Sequence, residues 1–455
     1  MNIAEKSHMK RIIDHHLRTW KISQFRKPLL LRGARQVGKT HAVRELGRSF
    51  ENCVEINLEE LSDAKIIFDV DLDPVRMIRD LALLTGQRIE PGKTLLFFDE
   101  VQAVPRALTA LRYFYEKMPS LHLIAAGSLL DFTIQEVGIP VGRVSSLYLY
   151  PMSFLEFLVA TGNEMLASAV LNNITYEPFS EPIHKKLLRL IAQYCAIGGM
   201  PEVVDRWCVT QDPQLCFEVH HTLLDTYRQD FSKYAAKYQI KYLDALFSAV
   251  PRQLGRKFKY SAVAGEFRKR ELAPSLDLLI TAGAVLPVTR SAGNGVPLGA
   301  EVDPEDFKML FLDIALAQAM LGLDLRGWFL DAEQEFVNKG ALMEAFVGQE
   351  LLAYADSTAR AQLFYWARHT PGSEAEVDYL VQDKAIVVPI EVKAGAGTTL
   401  KSMRAFLDGH PQSLRGLRFS TQNYSVYEKI CSLPLYAVVQ AIYREQGTSF
   451  AELVA

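Results

Sequence analysis

Long hydrophobic runs are missing from this 455-residue chain, and no apolar stretch approaches the roughly 18 residues of a membrane span. The opening stretch "MNIAEKSHMKRIIDHHLRTW" is polar and mixed in charge, which argues against a signal peptide and leads us to expect a cytoplasmic protein with no membrane contact. Cysteine is scarce. The five cysteines, Cys53, Cys195, Cys208, Cys216 and Cys431, are odd in number and never form a CxxC pair, so neither a disulfide framework nor a zinc ribbon is suggested. Charge of one sign is lacking too: 50 Lys and Arg stand against 53 Asp and Glu, a net charge of −3, so any contact with nucleic acid or anionic lipid has to be local. The doublets His15–His16 and His220–His221 lack partnered Cys or carboxylates at tetrahedral spacing and read as solvated helix faces. No low-complexity tract and no internal repeat stands out.

What remains is a globular composition, 49% hydrophobic and 23% charged, long enough for about three domains. After a polar helix over residues 1–27, "KPLLLRGARQVGKT" runs from a buried strand into a glycine-bounded loop and a helix from about Lys39. Further strands are expected at "CVEINLEE", "KTLLFFDEVQ", "LHLIAAGSLL" and "SSLYLYPMS", with helices between them. Strands that are apolar throughout and alternate with helices indicate a parallel sheet covered on both faces. Residues 166–250 read as helical. Then "FKYSAVAGEFRKRELAPSLDLLITAGAVLPVTR" reads as helix, turn, helix and strand pair, which suits a winged helix-turn-helix with "SAGNGVPLGAEVDP" as its loop or wing. A last α/β segment follows, with a helix over 340–356 and strands "QLFYWAR", "EAEVDYLV" and "AIVVPIEV".

Residues 33–40, "GARQVGKT", fit the phosphate-loop pattern G-x-x-x-x-G-K-S/T. Gly33, Ala34, Arg35, Gln36, Val37 and Gly38 would turn backbone N–H groups around phosphate oxygens, with the following helix N-terminus adding its dipole. Lys39 would reach the β- and γ-phosphates and the Thr40 hydroxyl would ligate Mg²⁺. An apolar strand ends in Phe98-Asp99-Glu100, where Asp99 would hold the Mg²⁺ shell and Glu100 would orient the attacking water. ATP and Mg²⁺ are therefore the expected cofactors. Ser128, closing "LIAAGS", reads either as a γ-phosphate sensor or as a turn serine capping the next helix. Arg143, in "VGRVSS", reads either as a finger supplied to a neighbouring subunit or as a surface arginine in an ion pair; Gln102 reads either as a residue that helps position water or, more readily, as a solvated loop glutamine.

The segments "LLLRGARQVGKT", "LLFFDEVQ", "AAGSLLDF", "GRVSSLYLYPMSFLEF", "YCAIGGMPEVV" and "SEAEVDYLV…PIEVKAG" together resemble the prokaryotic AAA-type ATPases that carry a C-terminal domain of unknown function, DUF4143. With that resemblance the expected fold class is α/β: an AAA-like P-loop ATPase domain with a parallel sheet over 1–165, a helical lid or linker over 166–250, a winged helix-turn-helix over 251–325, and a restriction-endonuclease-like DUF4143 domain over 326–455. No clear second sensor arginine is found, and a homo-oligomer is compatible with the resemblance.

Two more features bear on partners. Arg252, Arg256, Lys257, Lys259, Arg268, Lys269 and Arg270 face only Glu266, an excess of six positive charges in 19 residues, which suits phosphate backbone contact or else a solvated face. In "VPIEVKAG" the apolar strand carries Glu391 and Lys393; if it pairs with "EVDYLV" through a turn at Asp383-Lys384, Glu376, Asp378, Glu391 and Lys393 share one face as a hard-cation site. Helix 340–356 offers Glu344 and Glu350, and its Gly340–Glu344 spacing resembles the helical glutamate of archaeal Holliday-junction resolvases. That resemblance makes Glu344, Asp378 and Glu391 metal ligands and Lys393 the catalytic lysine. The expectation is an ATP-hydrolysing switch acting on DNA, with a C-terminal domain that binds or cleaves it. The alternative is a regulatory ATPase whose C-terminal domain is inactive and docks a protein.

Overall fold

The computed structural model describes residues 9–370, 373–393 and 400–443. Strands β1 (Leu29–Arg32), β2 (Asn52–Asn57), β3 (Thr94–Asp99), β4 (His122–Ala126) and β5 (Ser145–Tyr148) form a five-stranded sheet of order β2-β3-β4-β1-β5, parallel throughout. All five match the strands expected from sequence. β3 and β4 are buried along their whole length, as parallel strands covered on both faces must be. One face packs Leu30, Val54, Ile56, Leu96 and Phe98 against the helices Ser62–Val70, Pro74–Thr85 and Pro105–Lys117. The other face joins a second core that runs without interruption from Ile12 to Ala441.

The middle of the chain is helical, with Glu181–Ile197, Pro201–Thr210, Pro213–Tyr234 and Ile240–Ala249 as its main elements. Pro sits in the first turn of three of them, where its missing N–H leaves no helical hydrogen bond unmade. His220 departs from the solvated helix face expected of it: it is buried, its Nε2 lies 2.8 Å from the Ile197 carbonyl, and burial lowers its pKa to about 4.

The winged-helix expectation meets a different arrangement. Between Gln253 and Lys269 only a short 3₁₀ turn forms, at Tyr260–Ala262, before the helix Lys269–Thr281. The strand pair that follows, β6 (Val285–Ser291) and β7 (Val302–Phe311), is not a free wing. β6 pairs antiparallel with β7 on one side and parallel with β8 (Leu363–Thr370) on the other. With β9 (Ser373–Asp383), β10 (Ile386–Lys393), β11 (Gly416–Ser420), β12 (Ser425–Tyr427) and β13 (Ile430–Pro434) it builds an eight-stranded mixed sheet of order β12-β13-β11-β10-β9-β8-β6-β7. The hydrogen-bond ladder thus crosses the expected 325/326 boundary. Local patterning finds a hairpin but does not say which sheet claims its second edge.

β9 and β10 are antiparallel neighbours, with Pro389 opposite Leu380 and Ile386 opposite Asp383. The turn is therefore Lys384-Ala385, with Lys384 at φ 54°, and Pro389 does not face Asp378 as the Asp383-Lys384 turn would require. The register differs by two residues. An even shift preserves the alternation of faces, so the carboxylates stay on one side, and Asp378 comes opposite Glu391.

Candidate functional site

The phosphate loop leaves β1 at Gly33 and enters the helix Lys39–Gly47. Gly33 (φ 140°) and Gly38 (φ 99°) adopt backbone conformations that side chains disfavour, and a Cβ on Gly33 would stand 2.2 Å from the Leu149 carbonyl oxygen. Gln36 is also left-handed, at φ 61°. Lys39 is buried and folds back over the loop, its Nζ donating to the Gly33 carbonyl at 2.9 Å and the Ala34 carbonyl at 2.7 Å. Burial lowers its pKa to about 8 while Glu100 and Asp99 oppose the shift.

Beside it, Thr40 Oγ1 donates to Asp99 Oδ2 at 2.9 Å, and the Glu100 N–H donates to Asp99 Oδ1 at 3.0 Å. Burial raises the pKa of Asp99 against the pull of Thr40. Glu100 has left-handed backbone (φ 49°), which turns its carboxylate toward β4 rather than along the strand. There Oε2 accepts from Gln102 Nε2 at 2.5 Å, from Ser128 Oγ at 3.2 Å and from the Ser128 N–H at 3.3 Å. Burial alone would raise Glu100, but these bonds and the charge of Lys39 bring its pKa below the ordinary value. Gln102 is thus not a solvated loop residue: Gly127 makes room for it, since a Cβ there would meet Gln102 Oε1 at 1.9 Å. That Oε1 is buried with no donor among the described residues, a position that suits a bound water or ligand group.

Two supports of the loop carry no sequence signature. Arg11, buried, donates from Nη1 to the Val37 carbonyl at 3.0 Å, from Nη2 to the Tyr150 carbonyl at 2.9 Å and from Nε to Glu156 at 2.8 Å. Arg35 pairs with the buried Asp230 of the helix Pro213–Tyr234, and Tyr227 Oη donates to the Arg35 carbonyl at 2.6 Å. The loop is therefore gripped from both the N-terminal segment and the helical region. An isolated arginine or aspartate in a helix gives no pattern from which such a contact can be read.

In the C-terminal sheet, the acidic face contains a cation that the sequence reading missed. Lys308 of β7, its side chain 3% exposed, donates from Nζ to Glu344 Oε1 at 2.8 Å and to Glu376 Oε1 at 2.5 Å, and lies 4.0 Å from Asp378 Oδ1. Burial opposes the charge, but Glu344, Asp378 and Glu376 hold the lysine's pKa above its ordinary value. Asp378 Oδ2 accepts the Val392 N–H at 2.7 Å, and Lys393 pairs with Glu391 at 2.6 Å. Among the described residues, no group of three Asp, Glu, His or Cys side chains is arranged to hold a metal ion. Glu350 does not join the cluster. Six residues along a helix from Glu344 is about 240° around its axis, and Glu350 instead accepts the Phe154 N–H at 2.9 and 3.1 Å.

A family model described as an AAA domain matches residues 25–158, and one described as domain of unknown function DUF4143 matches residues 339–438. The chain is an AAA-domain protein with a C-terminal DUF4143 domain. Between them, a domain of unknown function, DUF8612, matches 188–326 as one unit and spans the expected 250/251 division. Among solved structures, a Walker-type ATPase of Pyrococcus abyssi is similar at 16% identity, over 70% of this chain and 96% of that one, with a TM-score of 0.42. No curated protein matches the chain. None of the helices among the described residues is long and apolar enough to cross a membrane.

Other expected positions lie apart from the AAA-domain loop. Arg143, half-exposed, pairs with Glu116 at 3.3 Å on the AAA-domain surface. All seven basic residues between 252 and 270 are exposed. Lys257 pairs with Asp306 at 2.9 Å and Lys269 with Glu305, while Arg252, Arg256, Lys259, Arg268 and Arg270 form no ion pair among the described residues.

Proposed function

We propose that this AAA-domain protein binds and hydrolyses ATP as a switch, and that its DUF4143 domain responds to that switch without cutting nucleic acid. The observation that carries the first part is the convergence of buried Lys39, the Thr40–Asp99 hydrogen bond and the Ser128-held Glu100 at the ends of β1, β3 and β4. Gly33 to Gly38 would cradle the phosphates, and Lys39 would exchange its two loop carbonyls for phosphate oxygens. Thr40 and Asp99 would hold Mg²⁺, which, when bound, neutralises charge on the β- and γ-phosphates. Glu100 would orient the attacking water. Its hydrogen bonds to Ser128 and Gln102 give it a resting position from which the γ-phosphate competes. Arg143 would serve as a finger only across a homo-oligomer interface, where it would have to leave Glu116.

The second part rests on Lys308. A lysine ammonium already stands among Glu344, Glu376 and Asp378, where a divalent ion would have to displace it, and burial holds the Glu344 and Asp378 pKa values above the ordinary carboxylate range. The five unpaired cations between Arg252 and Arg270 support DNA-backbone contact as the partner surface. A second reading, protein docking, is favoured by the Lys257–Asp306 and Lys269–Glu305 pairs, which already satisfy part of that surface internally. Phosphate release measured with and without duplex, single-stranded and branched DNA, with the DNA then run on a gel, tests all of this. Stimulated turnover with intact DNA is expected; Mg²⁺-dependent cleavage that disappears in Lys393→Ala would overturn the non-cutting part, and absence of turnover the first.

A further inference from the structure

The connection from the helix Gly340–Ala353 into β8 lies against the AAA domain. The Tyr148 N–H donates to the Ser357 carbonyl at 2.8 Å, and the Ala361 N–H donates to Tyr150 Oη at 3.0 Å, so residues 357–361 run beside the end of β5. Arg360 is thereby brought to a cavity of about 40 Å³ lined by Gly33, Ala34, Ser128, Asp131, Gly283 and Arg360 itself. Gly33 and Ala34 supply the carbonyls that receive the Lys39 ammonium, and Ser128 holds Glu100, so three residues of the lining also touch the phosphate-loop lysine or the candidate water-orienting carboxylate. At roughly 10–15 Å³ per enclosed water the space suits the oxygens of one phosphate, not a nucleoside.

The charge balance there is uneven. Asp131 is shared by two arginines: Arg32 holds it at 2.6 Å, while Arg360 Nη1 stands 3.9 Å away and Nη2 donates to the Ile280 carbonyl at 2.7 Å. One carboxylate facing two guanidinium groups leaves positive charge beside the loop, and an arginine fork matches phosphate oxygens well.

We propose that Arg360 reads the terminal phosphate of ATP in cis, so that nucleotide state is sensed by the segment that leads into the DUF4143 domain. The proposal rests on the ATPase reading above. In the hydrolysis step the water oxygen forms a bond to the γ-phosphorus, the bond from that phosphorus to the ADP oxygen breaks, and the water proton leaves toward Glu100. Arg360 makes and breaks no covalent bond; it stabilises charge on the phosphoryl oxygens and loses that contact when phosphate departs.

The test uses the full chain as wild type, Arg360→Ala and Arg360→Lys, titrated with fluorescent ADP and with a fluorescent non-hydrolysable ATP analogue, alongside turnover. Arg360→Ala is expected to bind ADP within about 2-fold of wild type, to lose about 10-fold or more in analogue affinity, and to lose about 10²–10³-fold in turnover; the lysine variant recovers part of the affinity. Equal losses for ADP and analogue would mean a merely structural arginine and would overturn the proposal, as would an alanine variant indistinguishable from an active wild type. Wild type that fails to bind the analogue defeats the ATPase reading itself. If the alanine variant does not fold, amide exchange of residues 357–362 in wild type decides: slower exchange with analogue than with ADP is expected, and identical exchange overturns the inference.

Discussion

Replacing Lys308 by Met removes one charge from a nest of three carboxylates and keeps most of the side chain's volume. At an effective dielectric near 20, the 2.8 Å contact to Glu344 is worth about 6 kcal/mol gross. Desolvating the ammonium offsets several kcal/mol of that, and Glu376, 42% exposed, is screened by water and adds little. Breaking such a buried pair leaves Glu344 and Asp378 uncompensated, which costs about 3–5 kcal/mol. A chain this size need not unfold in one step, so the assay is local: amide exchange read by mass spectrometry on peptides from β7, β9 and β10. The expected acceleration is about 10²–10⁴-fold, at about 1.4 kcal/mol per factor of ten. The double variant Lys308→Met/Glu344→Gln should recover much of the protection, because the stranded carboxylate is gone. Added Mg²⁺ should leave wild-type peptides unchanged. Unaltered exchange in the single variant, or protection of wild type by Mg²⁺, would refute the idea that the lysine is the resident cation of that face.

Lys39→Ala should abolish ATP binding in a fluorescence titration, and retained affinity would remove the phosphate-loop assignment. Glu100→Gln should keep ATP affinity while turnover falls about 10²-fold or more; unchanged turnover takes that carboxylate out of the reaction. If the basic segment meets duplex DNA, log affinity should fall with log salt at a slope approaching about −4.5 for its five free cations, and neutralising Arg256 should lessen that slope by about 1. Glu350, buried against the Phe154 N–H, has its pKa raised from 4.5 to about 8 by burial. A carboxyl whose pKa is higher folded than unfolded supports the fold below pH 4.5 and withdraws that support as pH climbs to 8, at most about 5 kcal/mol. Urea denaturation should show wild type weakening across this window and Glu350→Gln holding steady; parallel profiles would mean that Glu350 ionises freely.

Much of the AAA domain was legible because its signals are local. The loop Gly33–Thr40, the strand ending at Asp99-Glu100 and the apolar β4 each declare themselves within about ten residues. The β9–β10 face was legible for a different reason: strand periodicity is two, so an error of two in register left Glu376, Asp378, Glu391 and Lys393 together. What sequence did not reveal are contacts assembled by the fold alone. Lys308 opens "KMLFLD", a stretch whose apolar character hides the role of its first residue, and its partners lie 36 to 70 positions away. Arg11 and Asp230 meet the phosphate loop, and Arg360 a cavity beside it, only through long-range packing. The winged-helix expectation did not foresee the β6–β8 pairing, because a hairpin pattern is silent about the strand that completes its far side.

The placement of β6 between β7 and β8 constrains how this architecture can be cut or recombined. A chain truncated near residue 330 would keep the hairpin but strip β6 of its parallel neighbour, baring unpaired amide and carbonyl groups of the kind that recruit foreign strands. Conversely, a DUF4143 fragment begun at that point would lack the strand that carries Lys308 and would leave its acidic pocket without a counter-charge. Neither piece is a portable module, and a hybrid protein would have to transfer the two together.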